Sequence, residues 1–167
     1  MITIEPMGSH LHVLFGIRPT PKVVVEYGAG MQSTRAFLDR DHFPELISLV
    51  SYETDEVYYK HLLEDLRPDP RWNMSLVSEQ NIHHFTDRAA VADLVLIDNH
   101  SGQARVEVIK AVHAAKPRGW VAIHDAENVL YHDAIHLFST GVIYNIPGAV
   151  MLSYGGFSQP STALMRM

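Results

Sequence analysis

Five short apolar runs alternate along this chain with stretches of helical periodicity, and that alternation restricts the fold more than any other feature. The runs cover residues 22–27, 46–52, 73–78, 92–97 and 120–123. Helices are predicted over 33–40, 54–66, 101–116 and 128–138. Val57, Leu62, Leu63 and Leu66 supply one helical apolar stripe, and Val106, Ile109, Val112 and His113 another. Strands that alternate with helices are joined by right-handed crossovers, so the expected class is α/β: a doubly wound, mostly parallel sheet with helices on both faces. Two further runs, 142–146 and 149–154, are split by Pro147-Gly148 and predict a hairpin or tight connection, with the last strand antiparallel. No repeat or linker interrupts the pattern, which predicts one domain over 1–167 with its core at 22–154 and a short N-terminal segment over 1–20.

Polar residues close these runs. Glu26, Glu53, Glu79, Asp98, His124 and Asp125 fall at the carboxyl ends of the strands, where open α/β sheets bind their ligands. A strand-end acid is ordinarily a turn or cap residue, but a succession of them along one edge points to a site. The stretch VVVEYGAGMQSTRAF, residues 23–37, carries the most information. Gly28 and Gly30 allow a tight turn and close backbone approach, and Ser33 and Thr34 open a helix whose first N–H groups lack partners. A dinucleotide fingerprint needs a third glycine where Ser33 stands. Glu26 would repel a pyrophosphate and suits a ligand bearing an ammonium group. Glu53 is placed to accept both hydroxyls of a ribose. The pair favours a nucleoside with a cationic amino-acid tail, S-adenosylmethionine.

These stretches resemble the motifs of the Rossmann-like (class I) S-adenosylmethionine-dependent methyltransferases of small-molecule type. VVVEYGAGMQSTRAF is similar to their first motif and LISLVSYETDEVYYKHL to their second, with Tyr58 or Tyr59 behind Glu53. ADLVLIDNHSGQARVEVI resembles a fourth-strand motif in which an Asp precedes a Gly-containing loop and an Arg, and GWVAIHDAEN a fifth-strand His-Asp motif. The likeness runs over about 20–130. It implies that Glu26, Gly28 and Gly30 hold the methionine part of the cofactor, with Ser33 or Thr34 assisting. It also implies that Glu53 binds the ribose, that Glu79 lies near the adenine beside Gln80, and that Asp98 faces the cofactor tail or the methyl-transfer centre. His100, His124 and Asp125 are the candidate bases, His100 being preferred for its loop position beside Asp98. Catechol-type O-methyltransferases, which the chain also resembles, hold Mg²⁺ with an acid after the fourth strand and Asp-Asn after the fifth. Here Asp98 and Asp125 match and Ala126 replaces the Asn, so a site without metal is expected; in the disfavoured divalent-metal alternative, Glu127 or His124 would be the third ligand. His132 and His136 have a metal-compatible spacing but no acid in a known register.

Two departures matter. Asp98-Asn99-His100 stands where Asp-Gly is usual, and only about twenty residues precede the first motif strand, too few for a lid. Cover from a partner subunit or a homo-oligomer is the corresponding expectation. The alternatives are an NAD-binding oxidoreductase-like domain and a catalytically inactive methyltransferase-fold scaffold. Lys and Arg number 13 against 19 Asp and Glu, for a formal charge of −6, which argues against nucleic acid and for a small-molecule methyl acceptor. There are no cysteines, and therefore no thiolate chemistry. The sequence shows neither a signal-peptide pattern nor a membrane-length apolar stretch, so a cytoplasmic protein away from membranes is expected.

Overall fold

The computed structural model describes residues 2–6, 10–100, 102–145, 151–153, 156–158 and 161–167. The chain begins with β1 (Ile2–Pro6) and α1 (His10–Gly16), then β2 (Val23–Tyr27) and α2 (Ser33–Leu38). It continues through β3 (Ser48–Glu53), α3 (Glu56–Asp65), β4 (Trp72–Leu76), α4 (Asp87–Val91) and β5 (Leu94–Ile97). The second half holds α5 (Gln103–Ala115), β6 (Trp120–His124), α6 (His132–Ile135), β7 (Thr140–Asn145), β8 (Met151–Ser153), β9 (Gly156–Ser158) and β10 (Ser161–Arg166).

Eight strands form one sheet in the order β1-β7-β10-β6-β5-β2-β3-β4. The five strands from β4 to β6 pair in parallel. β10 then inserts antiparallel between β6 and β7. β5 is buried at every position, as a central parallel strand covered on both faces must be. Its residues alternate between two cores. Leu94 and Leu96 join Val24, Ala122 and Leu164 under Val13, Leu14, Phe37 and Phe43 from the α1 and α2 side. Val95 and Ile97 join Val25, Tyr27, Val121 and Ile123 against Val108, Ile109 and Val112 of α5 and Ala134 and Ile135 of α6. Helices therefore cover both faces, as the alternation predicts.

Several expectations are corrected. The segment before residue 20 contains an edge strand, because β1 pairs in parallel with β7, and α1 buries Val13, Leu14 and Ile17. Among the described residues no hairpin joins the two runs: β7 pairs with β1 and β10, whereas β8 pairs with β9 in a separate ribbon. Pro147 and Gly148 lie outside the described residues. The helix expected over 128–138 is a 3₁₀ turn (Val129–Tyr131) followed by the single turn of α6. Of the expected stripe only Leu62 on α3 and Leu66 at its C-cap, one turn apart, are buried, while Val57 and Leu63 are exposed. Leu63 sits about 100° round the helix from Leu62, beyond the stripe that Ala29 and Trp72 cover. No described helix is long and apolar enough to cross a membrane.

Candidate active site

The parallel pairing of β2 with β3 and β5 brings the ends of these strands to one edge. After β2 the chain turns at Gly28, whose φ of 88° lies in the left-handed region. A Cβ there would fall 2.5 Å from both the Cα and the N of Asn99, and closer still to the Asp98 carbonyl. Gly28 thus lets the turn after β2 press against the segment after β5, and its N–H donates to the Tyr52 carbonyl (2.8 Å). Gly30 has no such backbone angle; a Cβ on it would meet the Ser33 Oγ at 2.9 Å.

Glu26 is fully buried under this turn. Ser33 Oγ donates to its Oε1 (2.5 Å), and Thr34 Oγ1 and Ser51 Oγ donate to its Oε2 (2.7 Å each). Thr34 Oγ1 also accepts from the Gly30 N–H (3.0 Å), and the Trp72 Nε1–H donates to Ser51 Oγ (3.1 Å). Burial pushes the Glu26 carboxyl up to about 7; the three hydroxyl bonds oppose this and the Asp98 charge adds to it. The sequence expectation placed Glu26, Ser33 and Thr34 around the cofactor tail. In the structure Ser33 and Thr34 turn inward to Glu26, and the carboxylate is closed to direct contact from solvent. Its influence beyond the turn is through its field.

Glu53 is almost completely buried at the end of β3, and its Oε1 accepts from the Thr54 and Asp55 N–H groups (2.6 and 2.9 Å). Burial raises its pKa against these two bonds. Among the described residues no hydrogen bond engages Oε2. Tyr58, one turn into α3, accepts the Met31 N–H on its hydroxyl (3.1 Å), tying the glycine turn to the helix after Glu53. Glu79 is exposed beyond β4. With Gln80, His83, Gln103 and Glu107 it lines a cavity of about 240 Å³.

Across the edge, β5 and β6 deliver a compact cluster. The His124 Nδ1 lies 3.0 Å from Asp98 Oδ1 and 3.3 Å from Asp125 Oδ1. Burial disfavours its charged form, but the Asp98 hydrogen bond and the charges of Asp98 and Asp125 outweigh that and raise its pKa above 6.5. Asp125 holds a left-handed φ of 53°, unusual for a non-glycine residue, and so is kept in place at a cost of about 1–2 kcal/mol. His100, the base preferred from sequence, is exposed. The histidine that Asp98 engages is His124. Sequence reading gave no role to Arg105, on the first turn of α5 with its side chain only 4% exposed. Its Nη2 donates to Asp98 Oδ1 (3.2 Å) and its Nη1 to Asp125 Oδ2 (2.9 Å). A signal for it existed: Arg105 precedes Ile109 and Val112 by four and seven residues, so it belongs to the buried stripe.

Whether this edge fits the groups implied by the sequence can be judged from its chemistry. The strand ends that line it carry acceptors, the Glu53 and Asp98 carboxylates, and beside Asp98 the buried Asn99 Oδ1 has no partner among the described residues. Such a lining matches ribose hydroxyls and an ammonium and opposes a pyrophosphate, so S-adenosylmethionine fits. A divalent cation does not. Asp98, His124 and Asp125 offer ligand atoms within 4.8 Å of one another, but the Arg105 guanidinium already bridges both acids. Glu127, the other candidate ligand, accepts from the N–H and Oγ of Ser161 (2.8 and 3.2 Å). His132 and His136 are exposed.

Solved structures share this fold. The N-methyltransferase NodS from Bradyrhizobium japonicum superposes with a TM-score of 0.64 at 11% identity, covering 94% of this chain and 93% of that one. The O-methyltransferase TomG from Streptomyces achromogenes, solved with SAM, gives 0.60 at 16% identity, over 94% of this chain and 78% of that one. The chain has the class I methyltransferase fold. Spermidine synthase from Thermotoga maritima shares it as well, with a TM-score of 0.63 at 18% identity over 92% of this chain. This methyltransferase-fold chain spans 56% of the length of that synthase. No protein-family model matches the sequence, and no curated protein matches it.

Proposed function

We propose that this chain is an S-adenosylmethionine-dependent methyltransferase that acts on an oxygen or nitrogen of a small molecule. The observation that carries the reading is the acceptor-lined edge, where Gly28, Glu53, Asp98 and His124 converge from four neighbouring strands of a methyltransferase-fold sheet. The cofactor, when bound, supplies a methyl group on a cationic sulfonium, and in-line displacement requires chiefly placement and removal of the acceptor's proton. Glu53 is assigned to the ribose hydroxyls through Oε2. The main chain at Gly28–Gly30 is assigned to the methionine part, above the buried negative charge of Glu26. Glu79 and Gln80, beside their cavity, are assigned to the adenine.

His124 is assigned as the general base. With its Nδ1–H directed to Asp98, the neutral ring carries its lone pair on Nε2. Asp125 supports the imidazolium that forms. The formal charge of −6 supports a small acceptor over a nucleic acid. Calorimetry with S-adenosylmethionine, S-adenosylhomocysteine and NAD in parallel tests the reading: the first two are expected to bind and NAD not to. Binding of NAD alone would establish the oxidoreductase alternative, and binding of none would leave a scaffold.

Two variants probe the assignments. Glu53→Ala is expected to weaken S-adenosylhomocysteine binding by about 1.5–3 kcal/mol, the range for hydrogen bonds to a charged acceptor. Unchanged affinity would remove Glu53 from the ribose site. For the base, kcat/KM is expected to rise with pH through a pKa above the usual histidine value of 6.5, because only neutral His124 accepts a proton. His124→Ala should lower kcat by about 10²–10⁴-fold and erase that limb. A profile unaltered by the substitution would assign the proton to another group.

A further inference from the structure

We infer that Arg105 is a built-in substitute for the divalent cation: a positioning residue that holds Asp98 and Asp125 at fixed places so that the site operates without metal. The inference rests on the methyl-transfer reading for its activity measurements, and its binding measurement stands apart from that reading.

The guanidinium is used on every side. Nη1 donates to Asp125 Oδ2 and to the His124 carbonyl (2.9 and 3.2 Å), Nη2 donates to Asp98 Oδ1, and both Nε and Nη2 donate to the Asn99 carbonyl. Its Cζ lies 5.4 Å from the centre of the Tyr131 ring, and the Tyr131 hydroxyl accepts the Gly102 N–H at the start of α5 (3.1 Å). A buried arginine with its hydrogen bonds satisfied in this way is fixed, and its planar fork sets the separation of the two acids it joins.

Two carboxylates converging on one pocket repel unless a cation lies between them. Arg105 supplies one positive charge against the two negative charges of Asp98 and Asp125. It reaches them from α5, while His124 Nδ1 lies against the same two acids. A dication at the same two acids would sit against the guanidinium and would need the Nδ1 lone pair of His124, whereas that nitrogen lies 3.0 Å from Asp98 in the place of a proton donor. Arginine and metal are therefore alternative occupants of one electrostatic position. Without the guanidinium, the same three side chains would form an uncompensated oxygen and nitrogen site of the kind that binds Mn²⁺ or Mg²⁺.

The test is a Mn²⁺ titration followed by electron paramagnetic resonance, on wild type and on Arg105→Met, which keeps an unbranched apolar stem and removes the charge. Wild type is expected to leave the free Mn²⁺ signal undiminished. Arg105→Met is expected to bind one ion per chain, and Arg105→Met combined with Asp98→Asn to lose it. Methyl transfer by wild type should be indifferent to EDTA. In Arg105→Met it should fall about 10–100-fold, as for loss of groups that orient a site from behind, with partial recovery on adding Mn²⁺. A wild-type Mn²⁺ site that Asp98→Asn abolishes would overturn the inference, as would a folded Arg105→Met variant that neither binds Mn²⁺ nor loses activity. If Arg105→Met fails to fold by circular dichroism, Arg105→Lys decides with the wild-type titration. It retains a charge but not the fork, and should show reduced, EDTA-indifferent turnover with no Mn²⁺ site. EDTA-sensitive turnover in Arg105→Lys and wild type alike would sink the idea. If no variant or wild type transfers a methyl group, the functional reading fails, while the Mn²⁺ titration still decides the role of Arg105.

Discussion

Gly28→Val is expected to abolish S-adenosylhomocysteine binding and to lower the melting temperature, while Gly30→Ala has a much smaller effect on both. The two glycines look equivalent in sequence and are not equivalent in space. Valine at position 28 would have to hold a φ of 88°, at about 1–2 kcal/mol for the left-handed conformation and more for a β-branched side chain. Its Cβ would also lie 2.5 Å from two backbone atoms of Asn99, which can yield only if the segment after β5 moves. That movement would displace Asp98 and the cluster around it. The total falls among the large single-site effects, about 3–5 kcal/mol, taken from a domain stability of about 5–15 kcal/mol. At Gly30 the added Cβ meets only the Ser33 Oγ at 2.9 Å. A rotamer change of Ser33 relieves the contact and forfeits one of the three donors on Glu26, worth about 1 kcal/mol. Thermal melts by circular dichroism with parallel calorimetry check both variants. Wild-type affinity in folded Gly28→Val would mean that this turn does not touch the cofactor.

The stability of the protein is expected to fall as pH rises from 4.5 to about 7, and Glu26→Gln is expected to flatten much of that slope. Glu26 carries its proton up to about pH 7 in the folded protein, against 4.5 ordinarily. Below the lower value both states are protonated and burying the neutral acid costs nothing extra. Between the two values the unfolded chain releases its proton first, so stability drains away, and above the higher value the full penalty of about 3 kcal/mol is present. Ser33, Thr34 and Ser51 can rotate their hydroxyls to serve either a neutral amide or a carboxylate, so Glu26→Gln should fold. Chemical denaturation across pH 4.5–8 in the two proteins isolates this group from the histidines, which are common to both. A second readout follows from the proposed cofactor. Its ammonium, placed near the glycine turn, favours ionised Glu26, so binding near pH 7 should release a fraction of a proton. Calorimetry in two buffers of different ionisation enthalpy would detect that release in wild type and not in Glu26→Gln. Identical pH profiles in both proteins would show that Glu26 keeps an ordinary carboxyl pKa.

The sequence by itself determined the alternation of strands and helices from β2 to α5, apart from the short α4, the turn at Gly28, and the gathering of Glu53, Asp98, His124 and Asp125 on one edge. These are products of local periodicity and of the pleat, which leave little choice of face or direction once a parallel sheet is formed. An antiparallel last strand is expected from the sequence, but the tertiary structure alone decided which strands β1, β7 and β10 pair with, since neither an edge position nor a pairing partner has a local signature in runs of five or six residues. It also decided the inward turn of Ser33 and Thr34, the choice of His124 over His100 as the partner of Asp98, and the bridge that Arg105 makes between two acids 27 positions apart. Burial and charge proximity are properties of space, and a residue's chemistry at such a site is fixed by neighbours that are remote from it along the chain.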